Sequence, residues 1–465
     1  MPLILGTNSI KDTGYDVANS LRFNNGSSDY LNRTLGTPTN NDICTLSLWV
    51  KKTGSSNHSI WSNGSSNADE TNFVFQESGK IEFKEDVSSS ATFQLITNRV
   101  FRDLSAWYHF VIAFDTTQGT SSNRVKLYIN GTQETSFSTE TYPSQNTNVS
   151  INSNIAQYIG RRNRLTDQYF DGYMAEVVFI DGQQLDPTSF GEFDSDSPTI
   201  WKPKDVSGLT FGNNGFYLDF ENASSLGADV SGNSNNFTVN NLTSVDQSTD
   251  TCTNNFATIN ILDNESSNIT ISEGNLNYTV SGGTDETNRA TFGFTKGKWY
   301  FESKYVDDAN YIDVGVGSAS DLDIATPRFH MEMAGYYMIQ ISTSSTKVFD
   351  NGSLIATLSS NAQDDIHMYA IDMDNNKFYA GKNGSWYSSG DPANNSNPLI
   401  SMDDGYTTLM PSVCSKSSSV ASLNFGSPSY SISSGNSDAN GYGNFEYAVP
   451  SGYYSLNTKN LSEFG

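Results

Sequence analysis

Apolar residues in this chain recur at every second position far more often than at every third or fourth. In "VKLYING", Val125, Leu127 and Ile129 alternate with Lys126 and Tyr128, and Asn130-Gly131 follows. Side chains on a strand point alternately to its two faces, so this spacing predicts a strand with one buried face. The Asn-Gly pair supplies the two positive-φ positions of a tight hairpin turn. Asn351-Gly352 and Asn383-Gly384 repeat the signal. "TLSLWVKK", "TNFVFQE" and "WYHFVIAFD" are further short alternating or apolar runs, bounded by Gly, Asn, Asp and Ser. Helical periodicity is nearly absent. Many short strands with frequent turn signals predict an all-β chain of antiparallel sandwiches, not strand–helix–strand units.

The pattern breaks in two places. Residues 194–210, "DSDSPTIWKPKDVSGLT", carry Pro198 and Pro203 and interrupt the strands; residues 222–255 are dominated by Asn, Ser, Thr and Asp. These breaks divide the chain into an N-terminal arm over 1–20, suited to attachment, and a first sandwich over 21–195. An Asn/Ser-rich connector with short strands follows over 196–260, then a second sandwich over 261–430 and an aromatic-rich tail over 431–465. The tail has too few apolar residues to fold alone. Its Tyr and Phe are expected to pack on a domain or on a neighbouring subunit.

Composition then removes whole classes of function. The chain of 465 residues holds 51 Asp+Glu against 26 Lys+Arg, a formal net charge of -25. A phosphate backbone is repelled by such a surface, so no nucleic-acid partner is expected. No apolar run reaches the length of a membrane-spanning helix, so no membrane insertion is expected either. Only 17% of residues are charged, which leaves a surface of Ser, Thr, Asn and Gly suited to sugar recognition by hydrogen bonds. Cys44, Cys252 and Cys414 are odd in number and far apart. That is neither a disulfide framework nor a zinc pattern, and they read as small buried residues. "MPLILGTNSI" lacks a basic region and a long apolar run, so synthesis in a cytoplasm without export by the usual route is expected.

The first sandwich resembles the laminin-G/pentraxin-like branch of the concanavalin-A-like folds. The matching residues are "TLSLWVK" (45–51), "WYHFVIAFD" (107–115), "VKLYINGTQ" (125–133) and "YIGRRNRLTDQYFDGYMAEVVFIDGQQL" (158–185). The second resembles a SPRY domain through "GKWYFESKY" (297–305), "IDVGVG" (312–317), "YAIDMDNNKFYAGKNGSW" (369–386), "LMPSV" (409–413) and "LNFG" (423–426). With "TCTNNFATIN" between them and "GYGNFEYAVPSGYYSLNTKNL" at the close, the whole is similar to virion proteins of tailed phages, marine ones in particular. The resemblance implies two tandem concanavalin-A-like sandwiches and a virion structural protein, assembled in the host cytoplasm and displayed on the particle exterior. It implies a fibre or adhesin that binds host surface glycan or protein, contacts other virion proteins, and forms a homo-oligomer, a trimer among the forms. The alternative within that class is a capsid decoration protein. A glycan hydrolase is a third reading from a different class.

Candidate chemistry is sparse. Retaining glucanases of this fold carry E-x-D-x-E on one strand, with alternate carboxylates facing the cleft. The nearest match is "YLDFE", where Tyr217 replaces the nucleophile before Asp219 and Glu221, in the segment assigned to the connector. His58, His109, His330 and His367 form no recognisable triad or zinc motif. The chain is therefore read as no enzyme, with no catalytic residue and no cofactor. Pentraxin-like relatives hold calcium with two loops. The resemblance puts Asn67 and Asp69 in one, but in the other Arg161, Arg162 and Arg164 leave only Asn163 as a neutral donor, so no metal is assigned. Those arginines are instead candidate contacts for an acidic glycan or a partner. Trp61, Trp386 and Tyr387 lie beside Asn/Ser/Gly loops, where a ring can stack on a sugar or anchor a loop. In SPRY domains loops at one end grip partners; here 321–333 and 383–399 are the candidates. "ADVSGNSNNFT" spaces oxygen donors like a calcium loop, yet Ser234 stands where such a loop needs Gly and Asn240 where it needs Glu. It reads as a turn.

Overall fold

The computed structural model describes residues 14–66, 69–264, 266–307, 310–320 and 334–465. The chain forms two compact units, one over Thr13–Thr253 and one over Asn254–Gly465.

The first unit is two eight-stranded antiparallel sheets packed face to face. One is centred on Ile43–Lys52, flanked by Tyr108–Asp115 and Gly172–Asp181. The other contains Tyr30–Thr34, Ala156–Ile159, His58–Ser66, Asp69–Phe75 and Ile81–Val87 as neighbours in that order. Alternation puts Leu46, Leu48 and Val50 between the sheets, where they meet Phe73, Phe75, Phe83 and Phe110. Rings there meet edge to face, as Phe73 does with Phe83 and Phe110 at 5.7 and 5.4 Å, the geometry their quadrupoles prefer.

Much of the segment read as a connector belongs to this unit. Phe216–Leu218 pairs with Gly172–Asp181, Thr238–Asn240 with Tyr30–Thr34, and Gln247–Ser248 with Ser20–Phe23. The same segment covers the outer face of the first sheet. Phe190, Val206 and Phe211 bury Val111 and Val178, and Trp201 joins Trp49 and Ala175. Lys51 and Asp250 form an ion pair of 2.7 Å with side chains 0% and 1% exposed, and Trp107 Nε1 donates to the other Asp250 oxygen at 3.0 Å. "ADVSGNSNNFT" is a turn. The Asp229 carboxylate accepts from the amides of Tyr217, Ser231 and Asn235 and from the Ser231 hydroxyl, at 2.7–2.9 Å.

The second unit packs a nine-stranded sheet, built around Lys298–Asp307 and Ile366–Asp372, against a six-stranded one built around Tyr311–Ser318 and Leu409–Lys416. The aromatic tail docks on its own unit. Phe445 and Tyr453 are fully buried against Tyr300, Met368, Ala370 and Tyr379. Tyr454–Ser455 adds a parallel strand beside Trp299 and Tyr300, and Thr458–Phe464 forms a short helix capped by Asn457. The Glu302 carboxylate accepts from the amides of Glu446 and Tyr447 at 3.0 and 2.9 Å, which pins the tail to the sheet. Burial pushes Glu302 up to about 7.

Candidate ligand-binding face

The second sheet of the first unit keeps a partly exposed outer face, and the sequence "AQYIGRR" sets its centre. Gln157 and Ile159 point inward, Gln157 accepting from Trp61 Nε1 at 3.0 Å, so Tyr158 points outward between Asn32 and Ser62. Gly160 then turns the chain at φ +87; a Cβ there would meet the Phe23 ring at 2.7 Å. The turn sends Arg161 back over the sheet, its carbonyl held by the Ser62 hydroxyl at 2.8 Å. Its guanidinium packs against two adjacent rings, 4.4 Å from the Tyr30 centroid and 4.3 Å from that of Tyr158. Such placement attracts the cation to the ring faces and fixes its orientation. Tyr169 closes the group 6.3 Å from Tyr30. The loop carrying Tyr169 is tied down at its backbone, with Ser59 N donating to Gln168 O at 2.8 Å and His58 Nδ1 donating to Tyr169 O at 2.9 Å.

The three arginines have different surroundings. Arg162 makes a two-point bond to Glu70, Nε and Nη2 donating at 2.8 and 3.0 Å, and this partner raises its pKa further. Arg164 stands 3.9 Å from Asp86, a carboxylate already shared with Lys84 at 3.0 Å. Arg161 is 9% exposed, and its Nε has no hydrogen-bond partner. Among the described residues no carboxylate lies within ion-pairing distance of it. A basic patch of three free cations is therefore not what the fold makes: acids from strands far earlier in the chain pair with two of them.

Other expected site residues fall elsewhere. Trp61 is fully buried, stacked on Phe216 at 5.9 Å and Phe179 at 6.1 Å, so it is core and offers no ring to a sugar. The register slips between Ser59 and Trp61, and this bulge turns both Ile60 and Trp61 inward. Asn67 lies outside the described residues. Asp69 accepts from Ser88 N, Ser65 Oγ and Ser66 Oγ at 2.8–3.2 Å, and these bonds, led by the Ser88 amide, hold its carboxyl below the usual range. Its oxygens serve the turn. Among the described residues no group of three or more His, Cys, Asp or Glu is placed to hold a metal ion.

In the second unit Trp386 is half-buried, edge-on to Tyr300 at 6.5 Å, and the Tyr387 hydroxyl lies 3.3 Å from that of Thr346. Both anchor the 383–399 loop, in which Ser388, Ser389, Asn395 and Asn397 adopt positive φ. Loop 321–333 lies outside the described residues. A separate cleft of about 320 Å³ is lined by Ser318, Ala319, Ser320, Gly405, Tyr406, Thr407 and Thr408.

Two clusters that resemble catalytic groups do different work. Ser47 Oγ lies 2.9 Å from His109 Nε2, but His109 Nδ1 accepts from Trp201 Nε1 at 2.9 Å. The Trp donor fixes the proton on Nε2, so this imidazole cannot take a proton from Ser47. Burial holds His109 down to about 3. "YLDFE" is not outside the sandwich: Tyr217 pairs with Val178, and its hydroxyl donates to Glu176 at 2.8 Å, with Tyr15 at 3.3 Å. Glu176 was missed in the sequence. It sits at a bulge with φ 51 and is 5% exposed, and burial pushes it up to about 7. A lone acidic residue inside "MAEVVF" was its only signal.

Comparison with known proteins agrees with this architecture. Residues 25–185 match the laminin G model of the concanavalin A-like lectin/glucanases superfamily. Among solved structures, the SPRY domain of human HERC1 is 23% identical, covering 33% of this chain and 91% of that one, with a TM-score of 0.26. The heptameric SAP-like pentraxin of Limulus polyphemus is 17% identical over 37% of this chain and 80% of that one, TM-score 0.28. Domains LG4-5 of the mouse laminin alpha1 chain are 11% identical over 90% of both chains, TM-score 0.30. No curated protein sequence matches. The chain is all-β, built of two antiparallel sandwiches, and the first contains the segment that matches the concanavalin A-like lectin/glucanases model.

Proposed function

We propose that this chain is a non-catalytic glycan-binding protein, displayed as a fibre or adhesin on the exterior of a tailed-phage particle. The observation that carries the binding reading is the open face of a lectin-type sandwich on which Tyr30, Tyr158 and Tyr169 gather around Arg161. Tyrosines present flat apolar rings with a polar tip and lose little conformational freedom on binding. Single sites of this kind are weak, and display in several copies supplies avidity. The virion placement rests on the ordered resemblance along the sequence. The test is competition: excess purified protein should slow adsorption of particles to host cells, and Tyr158→Ala should remove that effect. Undiminished adsorption at saturating protein sinks the adhesin reading.

A decoration or structural role has one observation in its favour. Ser353–Thr357 is the terminal strand of its six-stranded sheet, and it exposes Leu354 at 53% and Ile355 at 50% in a stretch without charge. Unprotected apolar edges pair with other chains. Labelling intact particles separates the readings, the tail for an adhesin and the head shell for a decoration protein.

A further inference from the structure

We infer that Arg161 is a carboxylate-binding subsite, and that the sugar it selects is a uronic acid or another carboxylate-bearing residue of an acidic glycan. This rests on the glycan-binding reading above and narrows it. The chain has about twice as many acids as bases, and the fold supplies carboxylates to both neighbours, Glu70 to Arg162 and Asp86 to Arg164. Arg161 alone of the three is given none. It is nine-tenths buried, and the Tyr30 and Tyr158 rings, themselves 6.2 Å apart, pack against its guanidinium where an anion would otherwise stand. Ring faces stabilise the cation without using its N–H groups, which radiate in the guanidinium plane. The fork is thus oriented and partly stripped of water before a ligand arrives. Nε is buried and has no acceptor in the protein, so the nitrogens left to a ligand are the two Nη. A planar carboxylate accepting two parallel N–H bonds satisfies such a fork, and a hydroxyl does not. Tyr158, Tyr30 and Tyr169 flank the same spot, so a pyranose carrying that carboxylate finds rings to rest on.

The partner loop geometry argues for a site built for this purpose. Gly160 is required for the turn that lays Arg161 over the tyrosines. Thr166 and Gln168 both hold positive φ, at 53 and 52, a conformation unfavourable to residues with side chains that persists where the surroundings enforce it.

The experiment is a calorimetric titration of the full chain with oligogalacturonate, oligoalginate and hyaluronan fragments, with methyl-esterified oligogalacturonate as the neutral counterpart and heparin fragments as the sulfated arm. At least one uronate should bind about 10–100-fold more tightly than a neutral counterpart, the range of a charge-assisted bond. Arg161→Gln should erase that preference, and Arg161→Lys should recover only part of it, because the fork is lost while the charge remains. Melting temperature and Arg161→Lys together identify any variant that has lost its fold. Equal binding of acid and ester, removed by Tyr158→Ala, overturns the carboxylate assignment while the glycan reading stands. Binding confined to heparin overturns the carboxylate choice in favour of sulfate. No binding to any glycan of the panel or to neutral oligosaccharides overturns both.

Discussion

The two outer faces of the first sandwich start from the same alternating strands and end differently. On one, segments near Phe190, Trp201, Phe211 and Asp250 fold over the sheet, and polar groups beneath are paired out of water: Lys51 with Asp250, His109 between Ser47 and Trp201, Glu176 under Tyr15 and Tyr217. On the other, Tyr30, Tyr158 and Tyr169 stay partly exposed around Arg161. Burial makes polar groups structural, because each must be satisfied from within. Partial exposure leaves them free to serve a ligand. The lesson is that a cluster resembling a catalytic one on the covered face is weaker evidence of function than an unpaired cation on the open face.

The largest expected effect tests the covered face. Lys51→Met removes the ammonium from a carboxylate that is fully buried, which costs about 3–5 kcal/mol when a buried pair is broken by deleting one partner. Urea unfolding of the full chain, read at the transition of the first unit, should show that loss. The double change Lys51→Met with Asp250→Leu should recover most of it, since two apolar groups leave no stranded charge. A single variant within about 0.5 kcal/mol of the parent, the range of ordinary surface changes, would mean that the face is not dry.

How far each face was legible follows from the same physics. Alternation and Asn-Gly turns exposed the long strands, and Val125, Leu127 and Ile129 are buried as expected. Short strands were expected in the segment read as a connector, but not their place in the first sandwich, because Phe216–Leu218 and Thr238–Asn240 are three residues each, too short to show which sheet they join. Trp61 and Glu176 were misjudged or missed because both lie at bulges, where one extra residue inverts the parity of everything around it. The arginine triplet was visible, but its sorting was not, since Glu70 and Asp86 come from distant strands. Even the turn at Asp229 needed its hydrogen bonds to exclude a cation role.

A middle-sized effect concerns pH. Glu176 titrates near 7 in the fold because burial disfavours its anion, against 4.5 ordinarily. The folded chain therefore holds a proton that the unfolded chain releases between those values. Stability from this group is fully present below about 4.5 and is lost as pH rises through about 7, by on the order of 3 kcal/mol. Glu176→Gln should flatten that part of the stability profile in urea titrations between pH 4 and 8. An unchanged slope in the variant would place the proton elsewhere. On the open face Asp69 shifts the other way, held below the usual range by the Ser88 amide.

The smallest effects compare arginines that look alike in the sequence. Arg162→Ala strips a two-point partner from Glu70, whose side chain is 0% exposed, and should cost about 1–3 kcal/mol, the penalty of a buried acceptor left unmet. Arg164→Ala should change stability by less than about 0.5 kcal/mol, because the pair is long at 3.9 Å and its arginine is partly exposed. Its partner Asp86 also keeps Lys84. Glycan affinity should be nearly unmoved by Arg164→Ala as well, since that side chain is turned to Asp86. Thermal melts and the calorimetric titration read both quantities on one sample. If Arg164→Ala instead weakened acidic-glycan binding as much as Arg161→Gln, the selecting charge would belong to the loop as a whole. The distinction between a stacked, unpaired cation and a rim ion pair would then carry no functional meaning.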